Sequence, residues 1–220
     1  MPADGAHPPP VTTTPPRSAT GGPTPPRSAN VVWQTTQTTR TGRWQALGHA
    51  GATVWITGLP ASGKSTLAAA LEARLLAAGR AAYQLDGDNL RHGLNGDLGF
   101  SPADRTENVR RTAEVAALLA DAGVVAIAAL VSPYVADRDA ARAVHDHRGL
   151  PFLEVHVTTP LEECERRDPK GLYARARAGE LPGLTGVDAP YEPPTAPDVR
   201  VEPSEPLELA VERLMALLPA

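Results

Sequence analysis

The chain has 220 residues, a length that suits one compact domain of about 150–200 residues plus a tail. Acidic and basic side chains nearly balance at a formal charge of −4, which argues against a polyanion-binding surface and so against nucleic acid as a partner. No apolar run approaches the ~20 residues that cross a bilayer, the first residues carry no hydrophobic signal core, and the single Cys164 excludes an intrachain disulfide framework. A cytoplasmic protein without a membrane partner is expected.

Residues 1–30 are dominated by Pro, Thr, Ala, Gly and Ser and hold a near-repeat, Thr14-Pro15-Pro16-Arg17-Ser18-Ala19 and Thr24-Pro25-Pro26-Arg27-Ser28-Ala29. Such a segment buries too little to offset the entropy of ordering, so a disordered tail is expected. A Pro-rich ligand for an SH3-like module is the functional alternative. From Val31 the composition changes, and 31–220 reads as the folded domain.

Within that domain, short apolar runs at 53–57, 81–85, 124–130, 152–157 and 198–201 read as buried strands. Helix-compatible segments at 64–78, 102–122, 136–147, 160–167 and 206–218 lie between and after them. Ser101-Pro102 supplies an N-cap and a first-turn proline, and Gly79 and Gly123 stand where the preceding helices should stop. The alternation predicts an α/β three-layer fold, a parallel sheet flanked by helices.

The first strand runs into Gly58-Leu59-Pro60-Ala61-Ser62-Gly63-Lys64-Ser65, which matches G-x-x-x-x-G-K-[ST] at every fixed position and is followed by a helix. Gly58 and Gly63 allow backbone angles and close approach that a Cβ would obstruct, so successive N–H groups point into one anion-sized hollow. The helix N-terminus adds partial positive charge. Lys64 supplies a cation for the β- and γ-phosphates, Ser65 a hard oxygen for Mg²⁺, and Thr66 a further phosphate hydrogen bond. A nucleoside triphosphate site is expected.

After the second strand come Asp86, Asp88 and Arg91, at a carboxyl end where ligands of parallel sheets gather. A carboxylate there can accept a proton from an attacking hydroxyl or hold Mg²⁺ through water. Asp86-Gly87-Asp88-Asn89 is equally turn-forming. Phe100 and, three apart on one helix face, Arg105 and Asn108 extend this acceptor side. His92, His145, His147 and His156 lack metal-ligand spacing, and Cys164 reads as a packing residue. Trp33, Trp44 and Trp55 read as core or interface anchors.

These blocks, with Ser132-Pro133-Tyr134, Asp137-Arg138, Arg167-Asp168-Pro169-Lys170-Gly171-Leu172-Tyr173, Gly186, Asp188 and Pro190-Tyr191-Glu192, resemble the adenylylsulfate (APS) kinases from about Asn30 to the C-terminus. The resemblance implies a P-loop kinase that uses Mg²⁺ and ATP to phosphorylate the 3′-hydroxyl of APS in sulfate assimilation. Within it, Lys64 and Asp88 resemble catalytic groups, and Ser132 carries the family's phosphoserine label, although direct in-line transfer needs no covalent intermediate. Residues 58–66 and Arg167 resemble the ATP site. Asp86, Asp88, Arg91, Phe100, Arg105, Asn108, Lys170, Tyr173, Thr185 and Gly186 resemble the APS site, and Ser65 and Asp88 the Mg²⁺ contacts. Residues from about 168 to 192 resemble a mobile lid. The resemblance allows a homodimer and implies a link to ATP sulfurylase. Pro60-Ala61 departs from the family's usual Ser-Gly and removes one loop N–H. Another small-molecule kinase on this scaffold, and a nucleotide-binding module without turnover, are the competing readings. No guanine-reading Asn-Lys-x-Asp element occurs.

Overall fold

The computed structural model describes residues 28, 30–32, 34 and 36–220. The expectations for the tail and for Trp33 therefore lie outside the described residues. The chain forms α1 (Arg40–Leu47), β1 (Ala52–Thr57), α2 (Lys64–Ala77), β2 (Ala82–Asp86), α3 (Gly87–Leu90), α4 (Pro102–Ala122) and β3 (Val125–Ala129). It continues through α5 (Val135–Arg148), β4 (Phe152–Val157), α6 (Leu161–Arg167), α7 (Leu172–Arg177), β5 (Val199–Val201) and α8 (Leu207–Leu217).

All strand pairs are parallel, in the order β2-β3-β1-β4-β5. β1 and β3 are buried at every position, which is why they read as unbroken apolar runs. One face packs Val54 and Ile56 beneath Leu67, Leu71 and Leu75 of α2 and Val211 and Leu214 of α8. The other packs Trp55 and Phe152 beneath Val109, Ala113 and Ala116 of α4 and Ala141 of α5. The alanines of α4 let that helix approach the sheet closely. Gly51, just before β1, carries this to its limit: a Cβ there would lie 2.1 Å from the Ala120 carbonyl oxygen. Trp55 is fully buried in the core.

Local signals set the termini. Ser101 and Asp104 form a reciprocal capping box on α4, and Gly123 closes that helix at φ 102°. At the open sheet edge, the Gln84 amide donates to Glu72 Oε1 at 2.8 Å, which satisfies a backbone donor that would otherwise invite strand pairing. Register places Ile56, Ala129 and Asp86 side by side, so the chain leaves β1 and β2 at the same rim of the sheet. No described helix is long and apolar enough to cross a membrane.

Candidate active site

The phosphate loop is built by close approach. At Gly58 a Cβ would stand 2.8 Å from the Val157 carbonyl oxygen and 2.9 Å from Ser62 Oγ, so the loop rests directly on the end of β4. Gly63 precedes α2 at φ 106°, the left-handed region that glycine enters without cost. Ala61 adopts φ 58° with a side chain, a conformation that costs about 1–2 kcal/mol. Inside the loop, Lys64 Nζ donates to the Leu59 carbonyl at 2.6 Å and lies 3.4 Å from Ser62 Oγ. Burial pushes the Lys64 ammonium down to about 8. A buried cation beside a helix N-terminus is an arrangement that an anion relieves.

Ser65 Oγ donates to Asp86 Oδ2 at 2.7 Å. Asp86 Oδ1 accepts from the Asp88 amide at 2.9 Å and so caps α3. Lys170, between α6 and α7, pairs with Asp88 Oδ2. Among the described residues, no group of three or more His, Cys, Asp or Glu forms an all-protein metal site.

Across the rim stand Arg91, Phe100 and Arg105. Arg91 Nη1 donates to the carbonyls of Leu98 and Gly99 at 3.1 and 2.8 Å, and its guanidinium sits 4.3 Å from the Phe100 ring centroid. Phe100 is 63 % exposed, an aromatic face offered to solvent. Arg105 donates to the Phe100 carbonyl at 3.0 Å, to Thr185 Oγ1 at 2.9 Å and to the Gly183 carbonyl at 2.6 Å. It thereby ties α4 to the 183–186 loop. Gly186 brings that loop onto the phosphate loop; a Cβ there would be 2.9 Å from Leu59 Cδ2. Asn108 is buried and bonded to Asn95.

On the opposite side of the phosphate loop, a cleft of about 180 Å³ is lined by Gly63, Thr66, Arg167, Val201, Glu202 and Pro203. Arg167 is steadied by Glu163, with Nε 2.7 Å from Oε1. Tyr173 is placed differently from Lys170. Its ring is buried with Cys164 and Leu184, and its hydroxyl donates to the Pro60 carbonyl at 3.0 Å. That carbonyl belongs to the residue at which the loop lost an N–H. Ser132 follows β3 at φ 38°, 3 % exposed, with its Oγ accepting from Trp55 Nε1 at 3.2 Å.

Several contacts under the site went without an assigned role in the sequence. Thr57 Oγ1 donates to the Val131 carbonyl at 2.7 Å and lies 3.1 Å from the Tyr191 hydroxyl. Arg138 is buried and donates to Glu154 Oε1 at 2.9 Å and to the Ser132 and Glu192 carbonyls, each at 2.6 Å. Glu192 in turn caps α5 through the Val135 amide at 2.7 Å. The sequence marked this layer only through the blocks Ser132-Pro133-Tyr134, Asp137-Arg138 and Pro190-Tyr191-Glu192. Nothing local pairs the last of these with residues 54 to 134 positions away.

Comparison with known proteins agrees with this geometry. The sequence profile of the family described as adenylylsulphate kinase matches residues 50–202. An adenylyl-sulfate kinase of Clostridium acetobutylicum is 52 % identical over 176 residues, covering 80 % of this chain and 86 % of that protein. The bifunctional enzyme CysN/CysC of Mycobacterium tuberculosis is 54 % identical over 168 residues, covering 76 % of this chain and 27 % of that protein. A solved structure, the Mycobacterium tuberculosis APS kinase CysC in complex with AMPPNP and APS, superposes with a TM-score of 0.75 at 53 % identity, covering 76 % of this chain and 97 % of that one. With the phosphate loop, the acid rim and the Arg91–Phe100–Arg105 cluster together in one fold, the chain belongs to the adenylylsulphate kinase family.

Proposed function

We propose that this chain transfers the γ-phosphate of ATP to the 3′-hydroxyl of adenylyl sulfate, giving 3′-phosphoadenylyl sulfate and ADP. The observation that carries the reading is the Ser65–Asp86 hydrogen bond of 2.7 Å. It joins the donor-phosphate loop to the carboxylates on the acceptor side, so donor and acceptor meet at one point.

The loop N–H groups on either side of Pro60, the α2 N-terminus and Lys64 hold the triphosphate, and the cleft beside Arg167 receives the adenine. Phe100 stacks on the acceptor's adenine, while Arg91 and Arg105 face its anionic groups. Asp88 accepts the proton of the attacking hydroxyl, and Lys170 lies close enough to follow the charge that develops. Tyr173 holds the lid's helix against the phosphate loop through Pro60. Ser132, buried and bonded to Trp55 Nε1, serves as a structural hydrogen-bonding group rather than carrying a phosphoryl group.

The Ser65 hydroxyl and the Asp86 and Asp88 carboxylates are hard oxygens suited to Mg²⁺, which would be shared with the phosphates in the absence of an all-protein cage. When bound, Mg²⁺ neutralises charge on the β- and γ-phosphates. Catalysis by the protein is then positioning plus charge stabilisation in a site the lid can close. ATP sulfurylase is the natural source of the acceptor, and the occurrence of a similar segment inside a larger bifunctional relative supports that link. We assign the enzyme to the cytoplasm, with a homodimer as an assembly that the family resemblance allows.

The test is product analysis. With γ-labelled ATP, Mg²⁺ and adenylyl sulfate, label should appear on the 3′ position of a doubly phosphorylated adenosine. Label released as free phosphate, or none transferred, would contradict the assignment.

A further inference from the structure

The phosphate loop has a second foothold beyond β4, one that the reaction scheme does not use. Thr159, two residues after the end of that strand, is 4 % exposed, and its Oγ1 donates to the Ser62 carbonyl at 2.8 Å. A carbonyl oxygen only accepts, so the hydroxyl is the donor. Arg167, whose guanidinium carries donors alone, places Nη1 3.4 Å from the same oxygen. Thr159 is itself held stiffly. It is β-branched and precedes Pro160, which biases its backbone toward the extended region, and its own carbonyl accepts from Cys164 Sγ at 3.6 Å.

What this contact fixes is a peptide plane. No peptide bond among the described residues is cis, and in a trans peptide the carbonyl and the following N–H point in opposite directions. With the Ser62 oxygen turned toward Thr159, the Gly63 N–H points away from it. No hydrogen bond among the described residues uses that N–H. Gly63 does not hold the plane by itself. Its φ is 106°, but glycine takes either sign of φ about equally, so a half-turn of the Ser62–Gly63 peptide meets no Cβ barrier at Gly63. The half-turn would break the 2.8 Å bond and set the Gly63 N–H against the Arg167 guanidinium, donor against donor. The direction of this loop donor is therefore chosen from outside the loop.

We propose that Thr159 is a positioning residue for the nucleotide: it holds the Ser62–Gly63 peptide so that the Gly63 N–H is presented to a phosphate oxygen of ATP or ADP. Thr159 also lines the cleft assigned to the adenine, but its hydroxyl proton is committed to the loop. The inference rests on the reading of residues 58–66 as a nucleotide site and is independent of which acceptor takes the phosphate.

The test combines NMR, calorimetry and steady-state kinetics on the full chain. Ser62-Gly63 is the only Ser-Gly pair in the sequence, so serine labelled at the carbonyl carbon with glycine labelled at nitrogen isolates this one amide. Saturating Mg·ADP should move the Gly63 amide proton of the parent chain downfield, as an N–H bonded to an anionic oxygen does. Thr159→Val replaces the hydroxyl with a methyl group. It should raise the Kd for Mg·ADP and KM for ATP about tenfold, keep KM for adenylyl sulfate within about twofold, and lose most of the downfield shift at saturation. Thr159→Ser keeps the hydroxyl and should stay within about threefold of the parent in every constant, with the shift retained. A parent whose Gly63 amide does not move on saturation, or a Thr159→Val enzyme with the parent's Kd and shift, would overturn the proposal and leave the function standing. Weakened binding with the full shift would place the effect at the adenine and also overturn it. A parent that binds no Mg·ADP would remove the nucleotide site itself, and this proposal with it. Should Thr159→Val fail to fold, Thr159→Ala carries the same expectations, and the parent spectrum decides the Gly63 contact by itself.

Discussion

Ser65, in the first turn of α2, donates its hydroxyl to Asp86, the last residue of β2, at 2.7 Å, although 21 positions separate them. The bond closes the rim between the phosphate loop and the acid-bearing turn. Both groups are suited to a divalent cation, so removing either should show first as a change in metal dependence. Ser65→Ala and Asp86→Asn are expected to lower kcat by about 100-fold or more and to raise the Mg²⁺ concentration at half-maximal rate. A magnesium titration at saturating ATP measures both effects.

The Lys170–Asp88 pair spans the same rim from the segment between α6 and α7. Both side chains are about 60 % exposed, so the pair should contribute less than about 1 kcal/mol to stability. Its value lies in charge placement during transfer. Lys170→Ala is therefore expected to leave the melting midpoint within about 2 °C of the parent while lowering kcat about tenfold or more. Calorimetry and initial rates on one preparation separate the two quantities.

Acid should destabilise the fold through His156. Burial beside β5, reinforced by the Arg200 and Arg138 charges, pushes its imidazole down to about 4, and Nδ1 is buried without a partner. The folded state thus binds fewer protons than the unfolded chain between about pH 6.5 and 4. The stability that neutral His156 preserves is complete above about pH 6.5. It is lost as pH falls through that window and changes no further below about 4. The loss should be about 2–3 kcal/mol. Urea melts at pH 7.5 and 4.5 should show it, and His156→Gln should flatten this leg of the profile.

Gly51 tests the packing of α4 on the sheet. A methyl group there meets the Ala120 carbonyl oxygen at 2.1 Å and Gly123 Cα at 2.9 Å, both backbone atoms that no rotamer change can clear. Gly51→Ala is expected to destabilise by about 3 kcal/mol or more, measured by denaturant unfolding, even though alanine is the smallest side chain available.

What could be read from the residues alone was what local backbone geometry demands. The phosphate loop needs glycine at 58 and 63, and α4 starts and stops where Ser101, Pro102 and Gly123 place it. β1 and β3 are apolar because both faces of the sheet are covered there, whereas β2, expected as a buried strand, lies at the sheet edge and leaves Tyr83 59 % exposed. Three helices escaped notice for physical reasons, the four-residue α3 because Asp86-Gly87-Asp88-Asn89 is turn-forming. α1 has no fully buried residue and is held mainly by Arg40 and Arg43 on Asp121 and by Trp44 Nε1 on the Ala120 carbonyl, contacts made about 80 positions away. α7 has six residues and starts at a left-handed Gly171, too short for a periodic signal. The pairing within the buried layer of Thr57, Tyr191, Arg138 and Glu192 was equally silent, because these bonds join residues far apart in sequence. Arg91, Phe100 and Arg105 were legible as a set, but their binding to the loop carbonyls and to Thr185 was not.

The central claim is a kinase specific for adenylyl sulfate, and a coupled ADP-release assay with Mg·ATP tests it most directly. Adenylyl sulfate, AMP, adenosine and gluconate serve as acceptors, with Lys64→Ala and Asp88→Ala as controls. Turnover should occur with adenylyl sulfate alone and fall by about 100-fold or more in both variants. Equal turnover with gluconate or adenosine, or ATP binding without ADP release, would contradict the account.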